Sequence, residues 1–176
     1  DKCICKKISM AFVLWMTGLP CSGKTTLSRM LSDKINNPAI LDGDELREWL
    51  SPKDFSQQGR NVHNRKVALL AKLLLEHNVP VSVSLISPYA ENRKTARQII
   101  GNKKFVEIFI KCSLKECETR DEKGMYKKAR NNEIKNFTGI TDKYEEPINP
   151  DIILDTEKLS VGESVNKILL YLKNKN

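Results

Sequence analysis

The chain has 176 residues, enough for one well-filled domain and too few for two. Apolar residues make up 40% and charged residues 30%, the balance of a soluble globular protein, and no apolar run reaches the roughly 20 residues of a membrane span. The formal net charge of +8 suits anionic partners, and small polyanions such as nucleotides satisfy it as well as a nucleic acid would, since the aromatic residues are not interleaved with a basic run.

Asp1–Ser9 is polar and basic around Cys3-Ile4-Cys5, carries no signal-peptide pattern and precedes Met10; it is read as an extension of a single domain over 10–176. From there strands and helices alternate. A strand is predicted over Phe12–Thr17, a helix over Lys24–Ile35 with Leu27, Met30 and Leu31 as its apolar pattern, and a short strand over Ala39–Leu41 that ends in Asp42-Gly-Asp44. A helix from about Asn61 to His77 puts Val67, Leu70, Ala71 and Leu74 on one face. The β-branched run Val79–Ile86 predicts a buried parallel strand. A helix follows over Glu91–Ile100, then a strand over Phe105–Ile110 and a helix around Leu114–Arg120. The charged stretch 121–150, with Gly124 and Gly139, reads as a loop-plus-helix insertion. Ile152–Leu154 and a last helix with the stripe Val161, Val165, Ile168, Leu169 and Leu172 close the chain. This alternation predicts an α/β fold: a five-stranded parallel sheet covered by helices on both faces, its strand C-termini collected at one edge. The five cysteines are odd in number and include no C-x-x-C pair, which speaks against a disulfide framework or zinc site and for a reducing, cytoplasmic setting.

The first strand runs into Gly18-Leu-Pro-Cys-Ser-Gly23-Lys24-Thr25, which fits the phosphate-binding loop G-x-x-x-x-G-K-[ST] in its strand–loop–helix context. Gly18 and Gly23 let the backbone of Cys21 and Ser22 curl inward, so that successive N–H groups point at phosphate oxygens above a helix N-terminus. Lys24 then serves the β- and γ-phosphates of a nucleoside triphosphate, and Thr25 is placed to ligate Mg²⁺. Asp42 and Asp44, two carboxylates at the end of the next strand, can divide two tasks, one holding Mg²⁺ and the other taking a proton from an attacking hydroxyl. Arg47 lies one helical turn further on. Arg60 and Arg65 open the long helix, and Lys123, Lys127, Lys128, Arg130 and Lys135 populate the insertion, which suits a mobile basic lid over about 121–150.

Several blocks, in order from Phe12 to Thr156, together resemble the adenylyl-sulfate kinase family of P-loop kinases. They are Gly18–Thr26, Leu41–Arg47, Phe55-Ser56 with Arg60, and Ile86–Tyr89 with Arg93, then Arg120–Arg130, Glu133–Ile140, Tyr144–Pro147 and Leu154–Thr156. The resemblance implies sheet order 2-3-1-4-5, frequent homodimers, and transfer of the ATP γ-phosphate to the 3′-hydroxyl of adenosine 5′-phosphosulfate (APS). It implies that Cys21–Thr26 hold the ATP phosphates, with Arg120 near the adenine. Asp44, Arg47, Phe55, Arg60, Ile86, Ser87, Lys123 and Phe137 then grip the acceptor, Phe55 and Phe137 stacking on its nucleobase, with Asp44 as the proton acceptor and Asp42 supporting Mg²⁺. Ser87 matches a serine assigned in some members as a phosphoserine; direct in-line transfer needs only positioning and charge, so it is read as a substrate contact. Two departures lie on the acceptor side, where His63 replaces an asparagine and Asn136 a glycine, and the segment before Phe55 is short. The alternative is therefore a related kinase acting at the same hydroxyl of another nucleotide, such as cytidine diphosphoramidate. A nucleotide switch is disfavoured because Asn102-Lys103-Lys104-Phe105 lacks the guanine-selecting aspartate, and a nucleic-acid or membrane partner is not expected.

Overall fold

Val13–Thr17 (β1) is buried at all five positions, and its side chains divide by parity. Leu14 and Met16 enter one apolar cluster, Val13 and Trp15 the other, as a strand covered on both faces requires. The computed structural model describes residues 11–50 and 54–175, so the expected extension Asp1–Ser9 lies outside the described residues. After β1 come α1 (Lys24–Ser32), β2 (Ala39–Asp42), α2 (Gly43–Leu50), α3 (Gln57–Glu76), β3 (Val81–Ser84) and α4 (Ala90–Ile100). They are followed by β4 (Phe105–Lys111), α5 (Leu114–Thr119), α6 (Met125–Arg130), β5 (Ile152–Asp155) and α7 (Val161–Asn174).

The strands form one five-stranded sheet in the order β2-β3-β1-β4-β5, all pairings parallel, as expected. Leu27 and Leu31 of α1 and Val165, Ile168 and Leu172 of α7 cover one face. Val67, Ala68 and Ala71 of α3, Ala96 and Ile100 of α4, and Leu46 of α2 cover the other. A smaller cluster of Cys112, Cys117, Tyr126, Ala129 and Phe137 packs against Leu19 and Cys21, tying α5, α6 and the following turn to the loop after β1.

The differences from expectation have local causes. Met30 and Val161 are exposed, since α1 turns Leu27 and Leu31, and α7 Val165, Ile168 and Leu172, towards the sheet. The long helix begins at Gln57 rather than Asn61, since the Ser56 hydroxyl accepts the Gly59 N–H at 3.1 Å and caps it. Strand pairing in the Val79–Ile86 run is confined to Val81–Ser84, and its apolar character is one-sided. Ser82 and Ser84 are buried against α1, where both share hydrogen bonds with Ser28 Oγ, at 2.8 and 2.6 Å; paired hydroxyls make that burial tolerable. Asp42-Gly-Asp44 forms the junction of β2 and α2, with Asp42 Oδ1 accepting the Asp44 N–H at 3.0 Å. Among the described residues, no helix is long and apolar enough to cross a membrane.

Candidate active site

Parallel strands deliver the loops after β1, β2 and β3 to one sheet edge. The first loop is shaped by contact: a Cβ on Gly18 would stand 2.6 Å from Ile110 O and 2.8 Å from Ser22 Oγ, so only glycine fits. Gly23 caps α1 at φ 102, and the first turn of α1 carries no acidic side chain that would compete with an anion for its N–H groups. Cys21 sits in the left-handed region at φ 61; burial and Asp121 push its thiol pKa up, which leaves it a small packing residue rather than an activated thiolate.

Lys24 is buried beneath this loop, its Nζ donating to Leu19 O at 2.6 Å, Gly18 O at 3.0 Å and Ser22 Oγ at 3.3 Å. Burial pushes its pKa down to about 8. Next to it, Thr25 Oγ1 donates to Asp42 Oδ2 at 2.7 Å, while Thr26 is exposed at the rim. Both Asp42 oxygens are thus engaged, whereas the Asp44 carboxylate is exposed and meets the Lys123 ammonium at 3.6 Å. On the other flank Arg120 donates from Nη1 to Thr156 Oγ1 at 3.1 Å and from Nη2 to Thr156 O at 2.9 Å. Thr156 Oγ1 donates in turn to Ser22 O at 3.1 Å, fastening Arg120 to the phosphate loop.

The remaining predicted residues gather beyond Asp44. The Arg47 guanidinium lies 4.6 Å from the ring centre of the half-exposed Phe55. Arg60 is buried and spans two segments, its Nε donating to Phe55 O at 3.1 Å and its Nη2 to Asn136 O at 2.8 Å. Asn136 has φ 55, a backbone region open to glycine and tolerated by asparagine, which explains how Asn136 occupies its turn. Phe137 is largely buried, edge-on to Tyr126 at 4.9 Å. Ile86 O accepts from Thr17 Oγ1 at 2.7 Å, joining the ends of β1 and β3.

Ser87 and His63 differ most from expectation. The Ser87 hydroxyl, expected to face the acceptor, is buried, donates to Asn64 Oδ1 at 2.6 Å and accepts the Trp15 Nε1–H at 3.1 Å. Asn64 Nδ2 continues the chain to Arg60 O at 2.8 Å. His63 is 1% exposed, and burial together with Arg47, Lys66 and Arg60 pushes its pKa down to about 4, so it stays neutral. Of the insertion's cations, Lys123 is the one that forms an ion pair with a carboxylate of this edge among the described residues, while Lys143 lies 6.0 Å from the centre of the Tyr89 ring. Arg130 pairs with Glu118 at 2.6 Å instead, and Arg65, Lys127, Lys128 and Lys135 are exposed. The insertion is also anchored rather than detached, by the Phe137 cluster and by Tyr126 Oη donating to Pro20 O at 2.9 Å. Thr156, Tyr126 and Asn64 were not assigned roles from sequence; their partners lie 134, 106 and 23 positions away, beyond any spacing rule.

This sheet order, with G-x-x-x-x-G-K-T leaving the central strand, defines a P-loop kinase. The adenylylsulphate kinase family matches residues 10–155. A probable adenylyl-sulfate kinase of Halalkalibacterium halodurans is 44% identical over 165 residues, 91% of this chain and 82% of the relative. The adenylyl-sulfate kinase of Oceanobacillus iheyensis is 45% identical over 168 residues, 93% and 84%. Among solved structures, the Mycobacterium tuberculosis APS kinase in complex with AMPPNP and APS superposes with a TM-score of 0.86 at 36% identity, covering 93% of this chain and 98% of that one. A sugar kinase from Janibacter sp., at 15% identity and a TM-score of 0.68, shares the fold. The chain belongs to the adenylylsulphate kinase family.

Proposed function

We propose that this protein transfers the γ-phosphoryl group of ATP to the 3′-hydroxyl of APS, giving 3′-phosphoadenosine 5′-phosphosulfate and ADP, the step that activates sulfate. The observation that carries the reading is a juxtaposition. An intact phosphate loop and the acceptor-side group of Asp44, Arg47, Phe55, Arg60 and Phe137 share one sheet edge, in a chain 36% identical to a kinase solved with APS and an ATP analogue.

In this reading the loop amides of Cys21–Thr26 bind the ATP phosphates, and Lys24 exchanges its bonds to Gly18 O and Leu19 O for phosphate oxygens. Arg120, held through Thr156, flanks the adenine. Thr25 and Asp42 bring a hydroxyl and a carboxylate together, and no group of three or more His, Cys, Asp or Glu among the described residues could form a protein cage for a metal. Such a sparse, hard-oxygen set fits Mg²⁺, which keeps water and phosphate ligands. When bound, Mg²⁺ neutralises phosphate charge. Asp44, whose carboxylate is exposed while Asp42's is engaged, is the base: it takes the 3′-hydroxyl proton as that oxygen bonds to the γ-phosphorus and the bond to the β-phosphate oxygen breaks. Arg47 and Lys123 offset the acceptor's charge, Ile86 lines the site, and Phe55 and Phe137 hold the base.

Ser87 acts through position. Its hydroxyl is committed to Asn64 and Trp15, which supports direct transfer over a phosphoserine step. The burial of His63 supports a packing role beneath the acceptor, so it does not favour a different nucleotide. The lid over about 121–150, a homodimer and a cytoplasmic setting, where Cys21, Cys112 and Cys117 stay free thiols, complete the proposal. Incubation with Mg·ATP and APS, followed by phosphorus NMR of the product, tests it: a new monoester phosphate on the 3′-oxygen supports it, and unchanged APS with active-site-competent ATP binding refutes it.

A further inference from the structure

We propose that Asp142 is a positioning residue for the acceptor half of the site, fastening the turn that carries Phe137 to α3 and to the start of α4. The inference rests on the reading of that half as an acceptor pocket.

The backbone of Asp142 closes the turn. Its N–H donates to Phe137 O at 3.0 Å, its carbonyl accepts the Gly139 N–H at 2.8 Å, and Thr138 and Asp142 form an isolated bridge. The side chain then ties the closed turn outward. Oδ2 accepts from Tyr89 Oη at 2.6 Å and lies 3.7 Å from Arg60 Nε, while Oδ1 accepts the Lys143 N–H at 2.9 Å. Tyr89 is the residue before α4 and Arg60 lies in the first turns of α3, so one carboxylate joins three separate segments. Side-chain exposures of 5% for Arg60 and 18% for Asp142 mean that water screens this group weakly.

The geometry relays to both aromatic residues. Arg60 donates to the carbonyl of Phe55 and to that of Asn136, the neighbour of Phe137. Removing the Asp142 carboxylate takes away the charge that offsets a buried guanidinium and the acceptor of a buried phenol at once. Burial and Asp142 also push the Tyr89 pKa up to about 12, so the phenol remains a donor at neutral pH. The phosphate loop meets the insertion through Tyr126 Oη and Pro20 O and through the packing of Leu19 and Cys21 on the Phe137 cluster; neither contact passes through the Asp142 carboxylate, so both remain when it is lost.

The test combines kinetics with hydrogen exchange in Asp142→Ala, the milder Asp142→Asn and Tyr89→Phe. For Asp142→Ala the KM for APS rises about tenfold or more, the scale of one lost charge-assisted hydrogen bond, while the KM for ATP stays within about twofold. Asp142→Asn and Tyr89→Phe give smaller rises in the same parameter. In the ligand-free protein, the amides of Gly139 to Asp142 exchange faster in Asp142→Ala, and the α1 amides do not. Equal rises in both KM values, or unchanged exchange in the turn, overturn the proposal. Wild-type protein that does not phosphorylate APS refutes the acceptor reading instead, and the exchange measurement still decides whether Asp142 fastens the turn.

Discussion

The donor and acceptor halves of this site are built in different ways. The donor half is one contiguous loop whose working parts are backbone N–H groups, one lysine and one threonine, held from below by Ser22, Asp42 and Thr156. The acceptor half is assembled from α2, the start of α3, the loop after β3 and the insertion, and buried side chains such as Arg60 and Asn64 hold these together. A phosphate chain is common to every nucleoside triphosphate, so a fixed backbone cradle suffices for it. Acceptor identity has to be supplied by side chains from several segments, and precision there depends on the contacts between them.

The comparison can be broken most severely at the donor side. Lys24→Ala removes the only side-chain cation of the loop and is expected to lower kcat on the order of 10³-fold, with the fold retained, as steady-state ADP release would measure. Asp44→Asn follows at roughly 10²-fold in kcat with both KM values little changed, the loss of a general base without loss of shape. Phe137→Ala sharpens the contrast. Loss of a stacking partner worth about 1–3 kcal/mol raises the KM for APS by about 5- to 150-fold, with a much smaller rise in the KM for ATP from the lost packing on Leu19 and Cys21.

The smallest effect is on stability against pH. His63 has a folded pKa of about 4, below its unfolded value near 6.5. Between those values the unfolded chain binds a proton that the folded chain refuses, so the His63 contribution is intact above pH 6.5 and is lost as the pH falls towards 4. The loss is on the order of 3 kcal/mol. Melting curves of wild type and His63→Asn over this window should converge or cross as acidity rises; parallel curves would place His63 in a solvated setting.

The sequence carried the donor side clearly because its chemistry is local: Gly18, Gly23, Lys24 and Thr25 lie within eight positions, and the β-α alternation located the sheet edge to which they belong. The sheet order agreed with the family resemblance rather than with anything in the spacing. Boundaries shifted where a cap decided them, as at Ser56, and serines hid one face of β3. On the acceptor side the resemblance named the residues but not their partners. Nothing in the sequence says that the Ser87 hydroxyl is spent on Trp15 and Asn64, or that Arg60 reaches a carbonyl 76 positions away. Long-range side-chain pairing leaves no periodic trace, so that layer became visible only in three dimensions.

The most direct measurement is ADP release in a coupled assay with Mg·ATP, comparing kcat/KM for APS, AMP and cytidine diphosphoramidate against a blank without acceptor, in wild type and Asp44→Asn. The account predicts rapid turnover with APS, far slower turnover with the other two nucleotides, and near loss of the APS reaction in the variant. Brisk turnover with cytidine diphosphoramidate and little with APS would contradict it.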